Sequence, residues 1–516
     1  MEIVTAKSRY TSLETNRSPS LHRAREAAAL TIPSLFPPEG TTDATKLPRP
    51  NQSIGARGVN NLSSKFLLTL LPPNEPFFKL MIDEFTLEEL GEDTSLKAKV
   101  EEALGKIERA VMNEFEAVAA RPVLSEALKQ LLIAGNVLLF MQKGVFRMFR
   151  LDKYVVKRDP AGSVIEIVVK EVVSPNALPE GIQIKDIGVT EGTDVKTVDI
   201  YTHIKRTTEG KWEVYQEVLG NIIESSRGTY PLGACPWLPL RFIRVDGEDY
   251  GRGYVEEYIG DLIAVDGLQK AIVEGAISAA KLLVFVDPNG LTDIKTVTKA
   301  PNGAIRSGRA VDVTMLQSQK AGDFRVALET MNEITQRLAL AFLMNSAIQR
   351  AGERVTAEEI RYMAGELEDA LGGTYSILGQ ELQQPLVAIT MHDLTKRRKI
   401  PSLPKGTVSP SITTGLDALG RGHDLTKLDT FLGGAQQIFG PEVITQRVNI
   451  SDYLTRRATA LGIAPKGLVY TEEEIEAKQQ AEQEAAQQQM LLQQGLQTGG
   501  KMLEGSMKEM PNGDPQ

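Results

Sequence analysis

Two long helical repeats on either side of a short β-rich stretch constrain the fold of this chain more than any other feature. Over residues 254–282, and again over 323–345, apolar residues recur every three or four positions. At 1.5 Å per residue, the first repeat predicts a helix of roughly 44 Å. Between the repeats, KLLVFV, GAIRS and AVDVTML read as strands, the last two around a turn at Ser307 and Gly308. We therefore predict a helical pair with a β-containing tip; the alternative is an ordinary helical pair in a core.

The N-terminal half predicts a mixed region of helices and antiparallel strands. Residues 1–50 are interrupted by prolines and read as an extended arm with one short helix at 23–30. Helical spacing returns over 59–71 and 93–135, and residues 137–250 alternate strand-forming runs with turn signals. The predicted fold class is α+β, mostly α, rather than a βαβ array.

The C-terminal part predicts further helices joined by a linker. A capping-box signature at Thr356 starts a helix that must end or kink at Pro385. A Pro/Ser linker over 401–410 and a smaller helical segment over 411–465 follow. The glutamine-rich stretch 471–499 is either a long polar helix supported by neighbours or a frayed tail.

Composition excludes several classes of protein. A length of 516 residues indicates two or more subdomains. The one cysteine, Cys235, allows no intrachain disulfide and no multi-cysteine metal site, which favours a reducing compartment. The net charge of −9 is opposite to that of a simple basic nucleic-acid binder. No secretory signal is recognisable, and the apolar runs are too short to span a bilayer, so we expect no membrane partner.

Catalytic signatures are missing from the sequence. There is no phosphate-binding loop, no G-x-S-x-G elbow and no H-E-x-x-H motif. The G-x-G-x-x-G pattern that begins at Gly251 ends in Glu256, whose carboxylate would repel a pyrophosphate. We therefore expect no catalytic residue, no metal, no cofactor and no enzymatic activity.

Five segments resemble the portal, or head-to-tail connector, proteins of short-tailed, podovirus-type (T7-like) phages. They are LTIPSLFPPEG (30–40), GARGVNNLSSKFLLTLLPPNEPFF (55–78), YGRGYVEEYIGDL (250–262), the run NSAIQRAGERVTAEEIRYMAGELEDALGGTYSILGQELQQPLV (345–387) and TTGLDALGRGHDLTKL (413–428). The resemblance is collinear and is weakest over 151–245 and beyond residue 436.

The resemblance implies a portal fold with wing, two-helix stem, β-containing clip and helical crown, assembled as a ring. The implied division is the following: N-terminal arm and α+β wing 1–253, first stem helix 254–282, clip 283–320, second stem helix 321–345, tunnel loop 346–355, wing helix and linker 356–429, and crown with a flexible C-terminal tail 430–516.

The function that the resemblance implies is a homododecameric channel at one capsid vertex, through which double-stranded DNA is packaged and ejected. The ring would dock the terminase large subunit and later the tail adaptor and tail tube proteins. It would also contact the major capsid protein, the scaffolding protein and the internal core proteins, after assembly in the host cytoplasm. The competing functions are a non-portal head–tail adaptor ring and an NTP-driven DNA-handling enzyme.

Three sets of residues are candidates for these roles. The stem channel wall would contain Glu256, Glu257, Asp261, Asp266, Lys270 and Glu274. Residues 254–286 carry a net charge of −3, which would keep DNA near the axis; the alternative is a solvated face. The tunnel loop would present Gln349, Arg350, Glu353 and Arg354, with one arginine in the channel or both paired to carboxylates. The clip would dock partners through Lys295, Lys299, Arg306 and Arg309, or be a solvated hairpin.

Overall fold

The computed structural model describes residues 5–42, 44–73, 76–81, 94–174, 178, 197–280, 283–293, 295, 298–299, 301, 303–305, 307–316, 321–344, 357–371, 373–400, 411–414, 421–440, 447–448, 450–460, 468–470 and 475. The chain divides into two compact units, Met1–Leu419 and Gly420–Gln516. No helix in the described ranges combines the length and apolar character needed to cross a membrane.

A 25-residue helix, α1 (Ala6–Leu30), takes the place of the predicted extended arm, so that prediction is wrong. The helix begins at the cap residue Thr5 and contains Pro19. Its buried Arg17 donates hydrogen bonds from one guanidinium nitrogen to the carbonyls of Leu151 and Tyr154. These contacts join α1 to chain more than a hundred residues away, and local sequence does not reveal them.

Three further helices and two sheets lie within the described residues of the N-terminal half. The helices are α2 (Ile54–Leu70), α3 (Thr94–Ala117) and α4 (Ala120–Ala134). The strands are β1 (Phe78–Met81), β2 (Asn136–Gln142), β3 (Val145–Phe149), β4 (Tyr154–Arg158), β5 (Val164–Val173), β6 (Val198–Arg206), β7 (Lys211–Val218), β8 (Asn221–Pro231) and β9 (Trp237–Arg241).

All strand pairs of this half are antiparallel, as predicted. One sheet has the order β3–β2–β9 and the other β4–β5–β6–β7–β8. Helix α4 packs on the first sheet, and Leu131, Val137 and Leu138 are fully buried in the principal core. Strand β1 pairs with β12 (Ser411–Thr414), although the sequence predicted a helical segment at that position.

The predicted helical pair is present with different bounds. The first repeat forms α5 (Tyr254–Glu257) and α6 (Ile259–Ala280), interrupted at Tyr258, instead of one helix over 254–282. The second forms α7 (Ala321–Ala341). Helix α6 is therefore about 33 Å long rather than 44 Å.

Helices α6 and α7 run antiparallel. Asp261 near the start of α6 lies 2.9 Å from Arg337 near the end of α7. Gly275 near the end of α6 faces the ring of Phe324 near the start of α7. The missing side chain at Gly275 is what allows this ring to approach the backbone of α6.

The β-containing tip is built differently from the prediction. Strand β10 (Leu283–Val286) pairs with β11 (Val313–Leu316), so the predicted hairpin of GAIRS with AVDVTML is wrong. Asp312 is the physical reason. Its backbone carbonyl accepts from the Asp287 amide at 2.8 Å, and its carboxylate accepts from the Leu291 amide and the Thr292 hydroxyl, both at 2.9 Å. These bonds hold residues 287–292 against the chain that enters β11.

Between residues 357 and 400, the described helices are α8 (Ala357–Leu371), α9 (Thr374–Leu378) and α10 (Gln384–Lys396). A π-helical turn, Gly379–Gln383, precedes α10. Pro385 lacks an amide hydrogen, and its ring would crowd the carbonyl of an α-helical turn before it. The wider π turn accommodates this proline, at the position where the sequence predicted a kink.

The second unit contains α11 (Arg421–Phe439) and α12 (Ile450–Ala460). The hydroxyl of Tyr453 on α12 donates to the Asp429 carboxylate on α11 at 2.5 Å. Arg457, one turn further along α12, lies 3.4 Å from the same carboxylate. Apart from residue 475, the glutamine-rich stretch 471–499 lies outside the described residues.

Candidate functional site

Three of the predicted channel-wall carboxylates have partners within the same chain. Asp261 pairs with Arg337, as described above. Glu256 lies 2.7 Å from Arg252 and 3.3 Å from Arg23. Asp266 accepts hydrogen bonds from the backbone amide and side-chain amide of Asn51, at 2.5 and 3.0 Å. Glu256 therefore holds α5 to α1. Asp266 holds α6 to the chain before α2, and Asp261 holds α6 to α7.

The remaining predicted wall residues lie at the surface. Glu257, Lys270 and Glu274 are all exposed. The predicted channel wall contains five carboxylates, but only two of them, Glu257 and Glu274, are exposed. The acidic face that could repel DNA is reduced to Glu257 and Glu274, with Lys270 between them.

The helical pair also exposes apolar side chains, some of which belong to the repeats that predicted the two helices. They are Ile263, Val273 and Ile277 on α6 and Val326, Leu328 and Leu340 on α7. Helix α6 is apolar on more than one face, which is typical of a helix covered on several sides.

The four tunnel-loop candidates, Gln349, Arg350, Glu353 and Arg354, lie outside the described residues. The chain that leads into this segment is described up to Met344, and the chain that leaves it resumes at Ala357. The end of α7 and the start of α8 therefore define the flanks of the predicted loop.

At the tip, three of the four basic docking candidates are described and exposed: Lys295, Lys299 and Arg309. Arg306 lies outside the described residues. The surrounding surface is apolar to an unusual degree, because Ile305 is 99% exposed and Val311 is 89% exposed. The predicted basic surface is thus mixed with apolar side chains, which the charge count did not show.

A cleft of about 560 Å³ lies between the five-stranded sheet, β9 and α10. Both tryptophans of the chain, Trp212 and Trp237, line it together with Cys235 and Pro385. Burial raises the pKa of the Cys235 thiol to about 12, so this thiol stays protonated near neutral pH.

The buried histidine His203 has a structural role. His203 lies 2.7 Å from the Glu166 carboxylate through one ring nitrogen and 2.7 Å from the Tyr215 hydroxyl through the other. Helix α1 covers this cluster through Arg9, which lies 2.8 Å from Glu166. Within the described part of the chain, no group of three or more His, Cys, Asp or Glu residues is arranged to hold a metal ion.

Residues 4–469 match the family model described as bacteriophage head to tail connecting protein. The chain belongs to the bacteriophage head-to-tail connecting protein family. The resemblance seen in the sequence is thereby confirmed.

Curated relatives in this connector family are similar over almost their whole length. The portal protein of Escherichia phage T7 is 42% identical over 520 residues, covering 99% of this chain and 95% of that protein. The portal protein of Enterobacteria phage T3 is 43% identical over 502 residues, covering 96% and 91%.

Solved structures are more distant from this connector. A chain from the neck of an empty GTA particle, computed with C6 symmetry, is 12% identical, covering 80% of this chain and 91% of that chain. The TM-score is 0.38.

Proposed function

We propose that this connector forms a homododecameric ring at one capsid vertex and that double-stranded DNA passes through its axis during packaging and ejection. The observation that carries the proposal is the antiparallel helical pair with apolar residues exposed on both helices. The pair would be the stem, and the tip around β10 and β11 would be the clip.

Exposed apolar residues on both helices favour a head-to-tail contact between copies. Leu340 on α7 is 62% exposed and Ile277 on α6 is 55% exposed. Burying the exposed part of such a side chain contributes about 1 kcal/mol. A contact between α6 of one copy and α7 of the next uses two different surfaces, so it closes a ring when the rotation allows it.

The remaining division follows the family resemblance. The arm and wing would be 1–253, the stem helices 254–282 and 321–345, and the clip 283–320. The tunnel loop would be 346–355, the wing helix and linker 356–429, and the crown and tail 430–516. Within the N-terminal part, the arm would be the α1 helix docked on the wing sheet.

A channel must let DNA slide, so its wall should not hold phosphates tightly. Glu257 and Glu274 are the exposed carboxylates proposed to keep DNA near the axis, while Glu256, Asp261 and Asp266 act within the chain. Arg350 or Arg354 would supply an adjustable basic contact in the tunnel loop, because a few arginines retain DNA without locking it.

The clip is proposed to dock acidic and apolar surfaces of partners. Lys295, Lys299 and Arg309 supply positive charge, and Ile305 and Val311 supply apolar area next to them. The terminase large subunit would bind here during packaging, and the tail adaptor and tail tube proteins afterwards. The major capsid, scaffolding and internal core proteins are the other proposed partners, and no enzymatic activity is proposed.

Native mass spectrometry and negative-stain images of the purified protein test the ring. We expect twelve copies around a central hole; a stable monomer contradicts the proposal. Leu340→Ser should weaken the ring, whereas Thr330→Ser, at an exposed polar position of α7, should leave it intact. An ATPase assay addresses the NTP-driven alternative, and hydrolysis by the purified ring would favour that alternative.

A further inference from the structure

The turn that ends α7 stops the helix at a defined residue. The Met344 amide donates to the Ala339 carbonyl at 2.8 Å, and the Leu343 amide donates to the Leu340 carbonyl at 3.0 Å. These two bonds are the Schellman pattern. Leu343 adopts a φ of 52°, in the left-handed region that favours glycine, so the surrounding contacts must hold it there.

The side chains of Tyr254 and Asn61 donate hydrogen bonds to the helix-end carbonyls that the Schellman turn does not pair. A helix end has four carbonyls without intrahelical partners, and the turn accounts for two of them. The Tyr254 hydroxyl donates to the Ala341 carbonyl at 2.8 Å. The side-chain amide of Asn61, on α2, donates to the carbonyls of Phe342 and Leu343 at 2.9 and 3.0 Å. Each of the four carbonyls thus has a donor.

Helix α2 also contacts the end of α7 through packing. The side chain of Phe342 is fully buried. A Cβ atom on Gly58 of α2 would lie 2.5 Å from Cγ of Phe342, which is too close for two non-bonded carbon atoms. Glycine at position 58 is therefore what lets the Phe342 ring lie directly on the α2 backbone.

The next turn of α2 holds the chain on the other side of residues 345–356. The ammonium group of Lys65 lies 2.9 Å from the carboxylate of Glu366 on α8, and the Lys65 side chain is only 5% exposed. Gly58, Asn61 and Lys65 are three and four residues apart, so they lie on one face of α2. We call this face, defined by these three residues, the α2 anchor.

We propose that the α2 anchor is a positioning element that fixes the end of α7 and the helix α8 relative to each other. This inference rests on the proposed function, in which residues 346–355 face DNA. Twelve residues, 345–356, join the two flanks. Asn61 and Lys65 therefore fix where the chain enters and leaves that segment.

Hydrogen exchange of the assembled protein tests the positioning directly. Asn61→Ala should speed exchange at the Leu343 and Met344 amides by roughly tenfold, because the turn loses both donated bonds. The matched control is Asn60→Ala, since Asn60 is the exposed neighbour on the same helix. Equal exchange in the two variants would overturn the inference.

The double variant Lys65→Met with Glu366→Met is a second, independent test. It removes both charges of this ion pair together, so neither partner is left as an unpaired buried charge. We expect faster exchange in α8 with little change at Leu343. This variant keeps the proposal testable if Asn61→Ala does not fold, and unchanged exchange in α8 contradicts the role of Lys65.

Genome retention by particles carrying each variant separates the inference from the proposed function. Asn61→Ala should lose retained DNA severalfold while Asn60→Ala keeps it. If Arg350→Ala with Arg354→Ala loses DNA but Asn61→Ala does not, the positioning role is wrong and the channel function stands. If the unmodified protein forms no ring, the proposed function fails, whatever the exchange rates are.

Discussion

The backbone amide of Ala6 lies 2.5 Å from the carboxylate of Glu217, a residue 211 positions later in the chain. Glu217 is almost fully buried, and it faces the first amides of α1, where the helix dipole favours a negative charge. One carboxylate on strand β7 thus holds the start of the N-terminal helix against the five-stranded sheet.

Glu217→Gln should destabilise the docking of α1. The neutral amide keeps the shape but loses the charge-assisted hydrogen bond, at a cost of about 2 kcal/mol. Glu213→Gln is the matched control, because Glu213 is an exposed residue of the same strand. Chemical denaturation followed by circular dichroism measures the difference, and equal midpoints for the two variants would contradict this role of Glu217.

The Glu166 cluster should make stability depend on acid pH. Burial alone would raise the pKa of Glu166, but the hydrogen bonds and charges of His203 and Arg9 outweigh it, so the pKa lies below the ordinary 4.5. A lowered pKa contributes stability above about pH 4.5 that is lost as pH falls through the folded-state pKa.

Thermal unfolding between about pH 6 and pH 3 measures this dependence. Glu166→Gln should have a lower melting temperature at pH 6 and a shallower fall toward pH 3 than the unmodified protein. Glu171→Gln, on the same strand with a partly exposed partner in Arg147, should keep the original slope. The same slope in both variants would mean that Glu166 does not carry the effect.

Two glycines on α6 should respond oppositely to substitution by alanine. A Cβ atom at Gly275 would collide with the ring of Phe324, so Gly275→Ala should destabilise by about 1–3 kcal/mol. Nothing lies within 4 Å of a Cβ atom at Gly267, so Gly267→Ala should stabilise by up to about 1 kcal/mol. Melting temperatures of the two variants test the packing of α6 on α7, and shifts of the same sign would contradict it.

Cys235 should be inert in the folded protein. Its pKa of about 12 leaves almost no thiolate at pH 8, and the side chain is buried. A coloured thiol reagent should therefore label no cysteine in buffer and one equivalent in denaturant. Rapid labelling without denaturant would show that the cleft opens.

Neutralising the predicted tunnel arginines should reduce genome retention. In Arg350→Ala with Arg354→Ala, the basic contact to phosphates is lost, so we expect less DNA held after packaging and unchanged ring assembly. Arg325→Ala, at an exposed position on α7, is the control for general loss of positive charge. Retention equal to the control would remove these arginines from the proposed contact.

The sequence predicted those parts of the fold that depend on local periodicity. Helix α7 was placed within four residues of its observed end, and β5 to β8 were expected as antiparallel strands. Both patterns repeat along neighbouring residues, so no distant partner is needed to recognise them.

Elements that depend on distant partners were missed. Helix α1 buries Arg17 against carbonyls of residues 151 and 154, and polar residues in a buried face weaken its helical pattern. The sequence predicted that β11 pairs with the nearer segment GAIRS, whereas the contacts of Asp312 favour its pairing with β10. In the candidate site, the carboxylates were recognisable from sequence, but their partners Arg337 and Asn51 were not.

Both tryptophans of this chain lie at one cleft, together with its single cysteine. The tryptophan fluorescence of the protein therefore comes from a single place, between the five-stranded sheet and α10. A shift in emission on binding DNA or a partner would report a change at that place alone. Tryptophan-selective excitation thus probes this cleft, because the helical pair, the tip and the second unit contain no tryptophan.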